Sequence, residues 1–458
     1  MRNNQSIDDI LQQLIENGVN KIKVAVTDID GVLRGKIISF DKFKSIAEKG
    51  FGFCNVLFGW DSGDIAYDNA AYTGWHTGYP DATATIDIST FRKIPWENEL
   101  PFFLADFGGT EGNGNTHFLC PRTLLRSISS QAKEAGFLPY FSQEFEWFNF
   151  VRDENSLRDR RLKTLEPLSA GMFGYSILRA SQNSAFFQDI FDFLTRFGIP
   201  IEALHTETGP GVYEAAIMFS EINEAADRAV LFKSSVKEIA HRHGILATFM
   251  AKYNEQLPGC SGHIHQSLWS PDGKKNLFWG KHSDKGISSI MESYIAGQLH
   301  CLPHILPFYA PTVNSYKRLV EGAWAPTTLT WGIDNRTTAL RVLCGGEKST
   351  RLETRVVGSD SNPYLAMAAC LASGLYGIKN KLHLGIPATT GSGYSDTING
   401  TLPKNLWEAT QAMKASQLAK ELFGETFINH FAATREWEWR QFAKAVTDWE
   451  LNRYMEII

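Results

Sequence analysis

Charged side chains at every second position of short, otherwise apolar runs are the feature of this sequence that could do chemistry. In FSQEFEWFNF, Glu144 and Glu146 stand two apart among Phe and Trp. In a strand, whose side chains alternate between faces, both carboxylates share one side and the aromatics take the other. In RLETRV, Arg351, Glu353 and Arg355 alternate with Leu352, Thr354 and Val356 in the same way. In GCSGHIHQSLW a glycine-containing loop leads into His263, His265 and Ser267, again on one face. In IEALHTETGPGVYEAA, Glu202, Glu207 and Glu214 surround a Gly-Pro-Gly turn. One such run is an ordinary solvated face. Its repetition in separate segments points to a site.

Neighbouring carboxylates repel, and without a cation one of them must stay protonated. A divalent metal removes that penalty. Oxygen ligands with a single imidazole suit magnesium or manganese, whereas zinc would call for cysteine pairs that the sequence lacks. The stretch from Val313 to Arg355 adds Arg318, Arg336, Arg341, Lys348, Arg351 and Arg355, the side chains that hold phosphates and carboxylates. A channel with metals, arginines and an anionic substrate is what phosphoryl transfer needs, because both neutralise charge on the transferring group. No Walker P-loop or kinase glycine loop is present, so a nucleotide would be bound in another way. The acid pair in DIDGV lacks the lysine and second acid motif of a phosphatase, and Asp30-Gly31 reads as a hairpin turn.

The elements that must position these residues form an α+β pattern. The spacing predicts a helix over 7–18, then two β-rich runs around Asp30-Gly31, and a strand-rich unit over 22–105 with an aromatic loop, FGFCNVLFGWDSGD, at Phe51–Asp64. The Gly- and Asn-rich run at 106–120 marks a boundary, giving domains 1–110 and 111–458. Beyond it, helices are predicted over 121–136, 182–196, 214–226, 229–243, 284–302, 362–377 and 404–421, with a surface loop at 385–396. The chain's 458 residues, 43% hydrophobic and 21% charged, fit a globular enzyme with a sizeable core. A net charge of −5 with the charges interspersed gives no footprint for nucleic acid or an acidic membrane. No run reaches the length of a membrane span, and the polar start has no signal-like region. Six scattered cysteines fit reduced thiols, so the expected compartment is the cytoplasm.

Taken together, the strand at Glu144–Trp147, HTETGPGVYE, ATFMAKY at 247–253, SGHIHQSLW, NSYKRLV, NRTTALRV, RLETR, NPYLAMAA and VTDWELNRY cover almost the whole chain. In this order the sequence resembles the glutamine synthetase superfamily, and within it the glutamate–amine ligase branch. The resemblance implies an N-terminal β-grasp-like domain and a catalytic domain whose antiparallel strands line a funnel. It also implies stacked rings, commonly dodecamers, with active sites shared between subunits. By the same resemblance one metal would be held by Glu146, Glu207 and Glu214 and another by Glu144, His263 and Glu353, with two or three Mg2+ or Mn2+ per site. Glutamate would meet Glu146, Gly259, Arg318 and Arg355. ATP would meet Glu202, Phe219, His265, Ser267, Arg341, Lys348 and Arg351, and Arg336 would stabilise phosphoryl transfer. Metal-bound ATP would phosphorylate the γ-carboxylate of L-glutamate, and an amine would displace phosphate to give a γ-glutamylamide.

Two departures bear on the amine. Where ammonia-using members carry a catalytic glutamate after NSYKRLV, this chain has Trp324, which is no base and offers a broad apolar face. The acidic loop of the small domain is altered to FGWDSGD, so that Phe58 and Trp60 stand beside Asp61 and Asp64. The expectation is a pocket of Trp324, Phe58 and Trp60 for a small alkylamine such as isopropylamine, with Asp61, Asp64 or Glu321 taking the amine's proton. Arylamines, polyamines and ammonia are the alternatives, and a non-catalytic relative would have lost metal ligands or arginines that are all present here.

Overall fold

The computed structural model describes residues 5–107, 118–283 and 285–458. The run KIKVAVT pairs with LRGKIIS as the antiparallel strands β1 (Lys21–Thr27) and β2 (Leu33–Ser39). The expected turn joins them, with Gly31 at φ +78°, a conformation that favours glycine. With β3 (Phe51–Cys54), β4 (Asp81–Ile86), β5 (Arg92–Ile94) and β6 (Leu100–Asp106) they form a sheet in the order β2-β1-β6-β4-β3, with β5 on β6. Val24, Val26, Phe43, Phe58, Phe103 and Phe107 fill one side of it.

The second sheet carries the candidate site. Its strands are β7 (Leu138–Val151), β8 (Ile201–Thr206), β9 (Val212–Ile217), β10 (Ser220–Glu221), β11 (Ile245–Thr248), β12 (Ile264–Trp269), β13 (Trp331–Ile333), β14 (Leu340–Leu343) and β15 (Arg351–Thr354). The order is β13-β14-β15-β12-β7-β9-β8, with β10 and β11 also on β7, and all pairs are antiparallel except β13 with β14. On β7 the alternation works as the sequence predicts. Phe141, Phe145 and Trp147 are buried, and Phe145 stacks on Phe232 of the helix Ile222–Arg242 at 5.5 Å. Ser142, Glu144 and Glu146 therefore point the other way, into the funnel.

Beneath the site, the helices Ser289–Ile305 and Pro363–Lys379 pack closely. A Cβ on Gly297 would sit 2.3 Å from the Ser373 carbonyl oxygen, a distance no side chain tolerates. Tyr294 Oη and Gln298 Nε2 each donate to Gln266 Oε1 at 2.7 Å, while Gln266 Nε2 donates to Thr354 Oγ1 at 2.7 Å. Thr354 Oγ1 in turn donates to Gln298 Oε1 at 2.9 Å. This closed set of buried polar groups fixes β12 against β15. Arg122 ties the first sheet to the helix Ile222–Arg242, pairing with Asp87, Asp106 and Asp227.

Several expectations are corrected. Residues 214–217 are strand, not helix, because Glu214, Ala215 and Ala216 pair with β7; a single helix, Ile222–Arg242, replaces the two expected over 214–226 and 229–243. The helix expected over 404–421 is two, Leu406–Ala415 and Gln417–Phe423, divided at Ser416, whose side chain caps the second. A long helix, Glu425–Lys444, was not foreseen. The division expected at 110/111 lies outside the described residues. No helix among the described residues is long and apolar enough to cross a membrane, and all six cysteines are free.

Candidate active site

The register of the second sheet gathers the charged faces. Across β7 and β9, Glu146 stands opposite Glu214; across β8 and β9, His205 stands opposite Glu214; across β12 and β15, His265 stands opposite Glu353. The Glu144 N–H donates to the His263 carbonyl at 2.9 Å, placing that histidine beside it. Two groups of ligand-type atoms result, Glu144 with His265 and Glu353, and His205 with Glu207 and Glu214, each within 4.8 Å. His263 Nδ1 adjoins the first group, 3.4 Å from Glu353 Oε1 and 3.8 Å from Glu144 Oε2. Glu146 lies between, its Oε2 accepting from the Ser261 N–H at 2.8 Å. The family resemblance assigns His263 to a metal and His265 to ATP; the structure brings both to Glu144 and Glu353. It also adds His205, 3.5 Å from Glu214 Oε2.

The electrostatics are those of a site built around cations. Burial and then the nearby Glu146, Glu144 and Glu207 push the Glu214 carboxyl up to about 10. Burial pushes Glu146 up to about 7. Across the funnel, burial opposes ionisation of Glu353, but His265, His263 and Arg355 overcome it and hold the group at about 2. The Nε2 atoms of His263 and His265 are buried without a hydrogen-bond partner; His265 Nε2 is 3.0 Å from Glu144 Oε1, yet not in hydrogen-bonding geometry. The partnerless buried His263 Nε2, beside carboxylates that repel one another, fits divalent cations of the magnesium or manganese type.

At one end of the funnel a cleft of about 220 Å³ is lined by Glu202, Phe219, His265, Ser267, Lys348 and Arg351, along with Tyr140 and Trp269. The tyrosine ring meets Phe219 and Trp269, each at 5.8 Å, giving an aromatic wall next to cationic side chains. Arg341 is held apart from the cleft's lining by Glu353 and Asp334.

Further in, Arg318 is 1% exposed, and its Nη2 donates to the carbonyls of Arg355, Val356 and Val357 at 3.2, 3.0 and 2.6 Å. Its Nη1 is buried without a partner, a donor that a substrate carboxylate would satisfy. Gly259 touches it so closely that a Cβ there would lie 2.6 Å from Arg318 Cγ. Arg355 pairs with Glu353 and donates from Nε to the Arg336 carbonyl at 3.0 Å. The Arg336 side chain is exposed.

The amine-pocket expectation is corrected in part. Phe58 is fully buried and packs on Phe107 at 5.2 Å, so its ring belongs to the core of the first sheet and has no face to offer a ligand. Asp61 is engaged within its own loop, accepting from the Gly63 and Ile65 N–H groups and from Trp437 Nε1 at 2.9 Å. Asp64 is more open but pairs with Arg34 at 2.8 Å, and the Arg34 guanidinium lies over Trp60 at 5.3 Å. Trp324 is 61% exposed at φ +58°, a left-handed conformation that costs a non-glycine residue about 1–2 kcal/mol. Glu321 is exposed.

His205, Tyr140 and Trp269 were missed. Tyr175 was missed as well; its ring stacks on His205 at 4.5 Å. The signal for His205 was its place in a strand two residues before Glu207, but reading 214–226 as helix removed the strand it faces.

The model of the glutamine synthetase catalytic domain matches residues 118–454. The chain is 53% identical to Type-1 glutamine synthetase 2 of Dictyostelium discoideum over 98% of its length and 86% of that protein. It is 35% identical to glutamate–isopropylamine ligase of a Pseudomonas species over 100% of its length and 99% of that protein. Among solved structures it is similar to a GmaS/ADP complex, with a TM-score of 0.84 and 26% identity, covering 98% of this chain and 99% of that one.

Proposed function

The chain belongs to the glutamine synthetase family, and from that premise we propose that it joins the γ-carboxylate of L-glutamate to a small alkylamine of the isopropylamine kind. As a family member it is an ATP-dependent ligase of the glutamine synthetase type. Trp324 is the observation that carries the choice of amine: an indole stands where ammonia-using relatives place an acid, and it is exposed. Its face favours a nucleophile with a carbon group, and cation–π attraction suits the protonated amine that arrives. The likeness to glutamate–isopropylamine ligase supports the same reading.

In this reading Glu144, His263, His265 and Glu353 would hold one divalent ion and Glu146, His205, Glu207 and Glu214 another. When bound, these ions neutralise charge on the phosphates and on the γ-carboxylate. The cleft by Tyr140, Phe219 and Trp269 takes the adenine, while Lys348, Arg351 and Ser267 bind the phosphates. Arg318, Arg355 and Gly259 hold glutamate, with its carboxylate meeting the free Arg318 Nη1. Arg341 positions Glu353, and Arg336 stabilises the transferring phosphoryl group. Phosphorylation turns the γ-carboxylate into an acyl phosphate, and the neutral amine then attacks it and expels phosphate. The amine's proton passes to Glu321, the exposed acid of the Trp324 loop. The enzyme works in the cytoplasm as stacked rings, a dodecamer by the family resemblance.

A second reading, a glutamine synthetase using ammonium, is favoured by the 53% identity to a protein of that name. The two separate in one experiment. Phosphate release is followed with ATP, glutamate and either ammonium, methylamine, isopropylamine, aniline or putrescine. Isopropylamine or methylamine should give the highest kcat/KM; ammonium as the best nucleophile overturns the proposal.

A further inference from the structure

The segment 385–396, which reads in the sequence as a free surface loop, is strapped to the parts of the chain that carry Arg336 and follow Trp324. The Gly393 N–H donates to Thr337 Oγ1 at 2.7 Å, and Thr328 Oγ1 donates to the Gly393 carbonyl at 2.8 Å. Asn335 Nδ2 donates to the Gly391 carbonyl at 2.8 Å, Thr389 Oγ1 to Asp396 Oδ2 at 2.6 Å, and the Leu402 N–H to the Thr327 carbonyl at 2.9 Å. Gly393 is so close that a Cβ there would lie 2.5 Å from the Thr337 carbonyl oxygen. These bonds make the strap a platform tied at Gly391 and Gly393 to residues 328–337.

Tyr394 stands on the platform in the 3-10 turn Gly393–Ser395. Its hydroxyl is within reach of the Trp324 backbone, and the charges of Arg355, Glu321 and Arg318 act on it. The Oη atom is buried and completes no hydrogen bond, although a buried hydroxyl in a settled core finds a partner. Burial raises the hydroxyl above its ordinary range, with the Trp324 backbone and Arg355 pulling the other way, so it remains a proton donor at neutral pH. The loop it faces carries two left-handed residues, Gly322 at φ +78° and Trp324 at φ +58°. Its own turn-like bonds run from the Val320 N–H to the Arg318 carbonyl at 2.8 Å and from the Ala323 N–H to the Val320 carbonyl at 3.3 Å.

We propose that Tyr394 is a specificity-determining positioning residue, whose hydroxyl bonds the backbone of the 321–324 loop when substrates are in place and so holds the Trp324 indole over the nucleophile site. The inference rests on the reading of Trp324 as the wall of the amine pocket. Tyr394 acts through Trp324 and does not touch the phosphates. Losing its hydroxyl should therefore weaken the grip on the amine alone.

Tyr394→Phe, which keeps the ring and removes the hydroxyl, tests this in the full-length enzyme. With the amine that wild type uses best, the amine KM should rise roughly five- to tenfold, as expected for one lost hydrogen bond. The KM values for ATP and glutamate, and kcat at saturating amine, should stay within about twofold. An unchanged amine KM, or a rise in all three KM values together, overturns the proposal. Because Tyr394 acts through Trp324, Tyr394→Phe in a Trp324→Ala background should add no further loss; additive losses overturn it too. Should ammonium prove the best nucleophile, the alkylamine reading falls, and the same KM comparison made with ammonium still decides whether Tyr394 governs the nucleophile site.

Discussion

Replacing Trp324 by alanine tests the assignment of the amine at its source. Isopropylamine carries three carbons that ammonium lacks, and burying each contributes about 0.8 kcal/mol, so full contact would contribute about 2.4 kcal/mol. Trp324 is 61% exposed, so its indole can wall off one side of the nucleophile, and roughly half of that contact, about 1.2 kcal/mol, is a fair lower bound. At 1.4 kcal/mol per factor of ten, these limits correspond to about 7-fold and 50-fold in kcat/KM. Trp324→Ala should therefore lower the ratio of kcat/KM for isopropylamine over ammonium by roughly 7- to 50-fold, with methylamine losing less because it has one carbon to bury. The assay is steady-state phosphate release at saturating ATP and glutamate, with each amine varied in turn. The loss should fall on the alkylamines. If isopropylamine and ammonium lose activity in equal proportion, the indole does not contact the alkyl group and the reasoning fails.

Further outcomes follow from the metal face and its supports. Glu353→Gln should reduce turnover more than about a hundredfold and weaken Mn2+ binding, read by metal titration; near-normal turnover would remove Glu353 from the ligand set. Metal affinity should rise with pH between 6 and 8. Glu146, at about 7, and Glu214, at about 10, keep protons below those values that a cation must displace, so affinity gains up to about tenfold per pH unit for each proton released. Calorimetric titration of Mn2+ at pH 6, 7 and 8 checks this, and a flat profile would contradict the crowded-carboxylate account. Gln298→Leu leaves the buried Thr354 hydroxyl without its acceptor and Gln266 Oε1 with one donor fewer, and should cost about 1–3 kcal/mol in denaturant unfolding, with a fall in kcat from the loosened β12–β15 pair; unaltered stability and kcat would show that the network is dispensable.

What was legible in the sequence was local. Alternation in FSQEFEWFNF fixes which side chains share a face wherever the strand goes, so Glu144 and Glu146 could be named as a pair before any partner was known. The same holds for His263 with His265 and for Arg351, Glu353 and Arg355. The Asp30-Gly31 turn was readable because its conformational demand falls on the residues themselves. The ordered motifs then carried the family, which the match over residues 118–454 bears out.

What only tertiary structure decided was non-local. The run from Val212 into the helix at Ile222 is rich in Ala and Glu, good helix formers, yet residues 212–216 are drawn into strand by pairing with β7, and the pairing of that strand with β8 sets His205 across from Glu214. Phe58 looks like a loop aromatic beside acids, and packing against residues distant in sequence, Phe107 among them, takes it into the core. Tyr394 lies in a Gly- and Ser-rich stretch with every mark of a free loop, and side chains some sixty residues earlier, Thr328 and Thr337, bind its neighbour Gly393. The sequence named the side chains of a metal, phosphate and carboxylate site because their spacing is a property of one strand. Which of them meet, and which aromatic faces the amine, depends on packing between segments that local propensity does not encode.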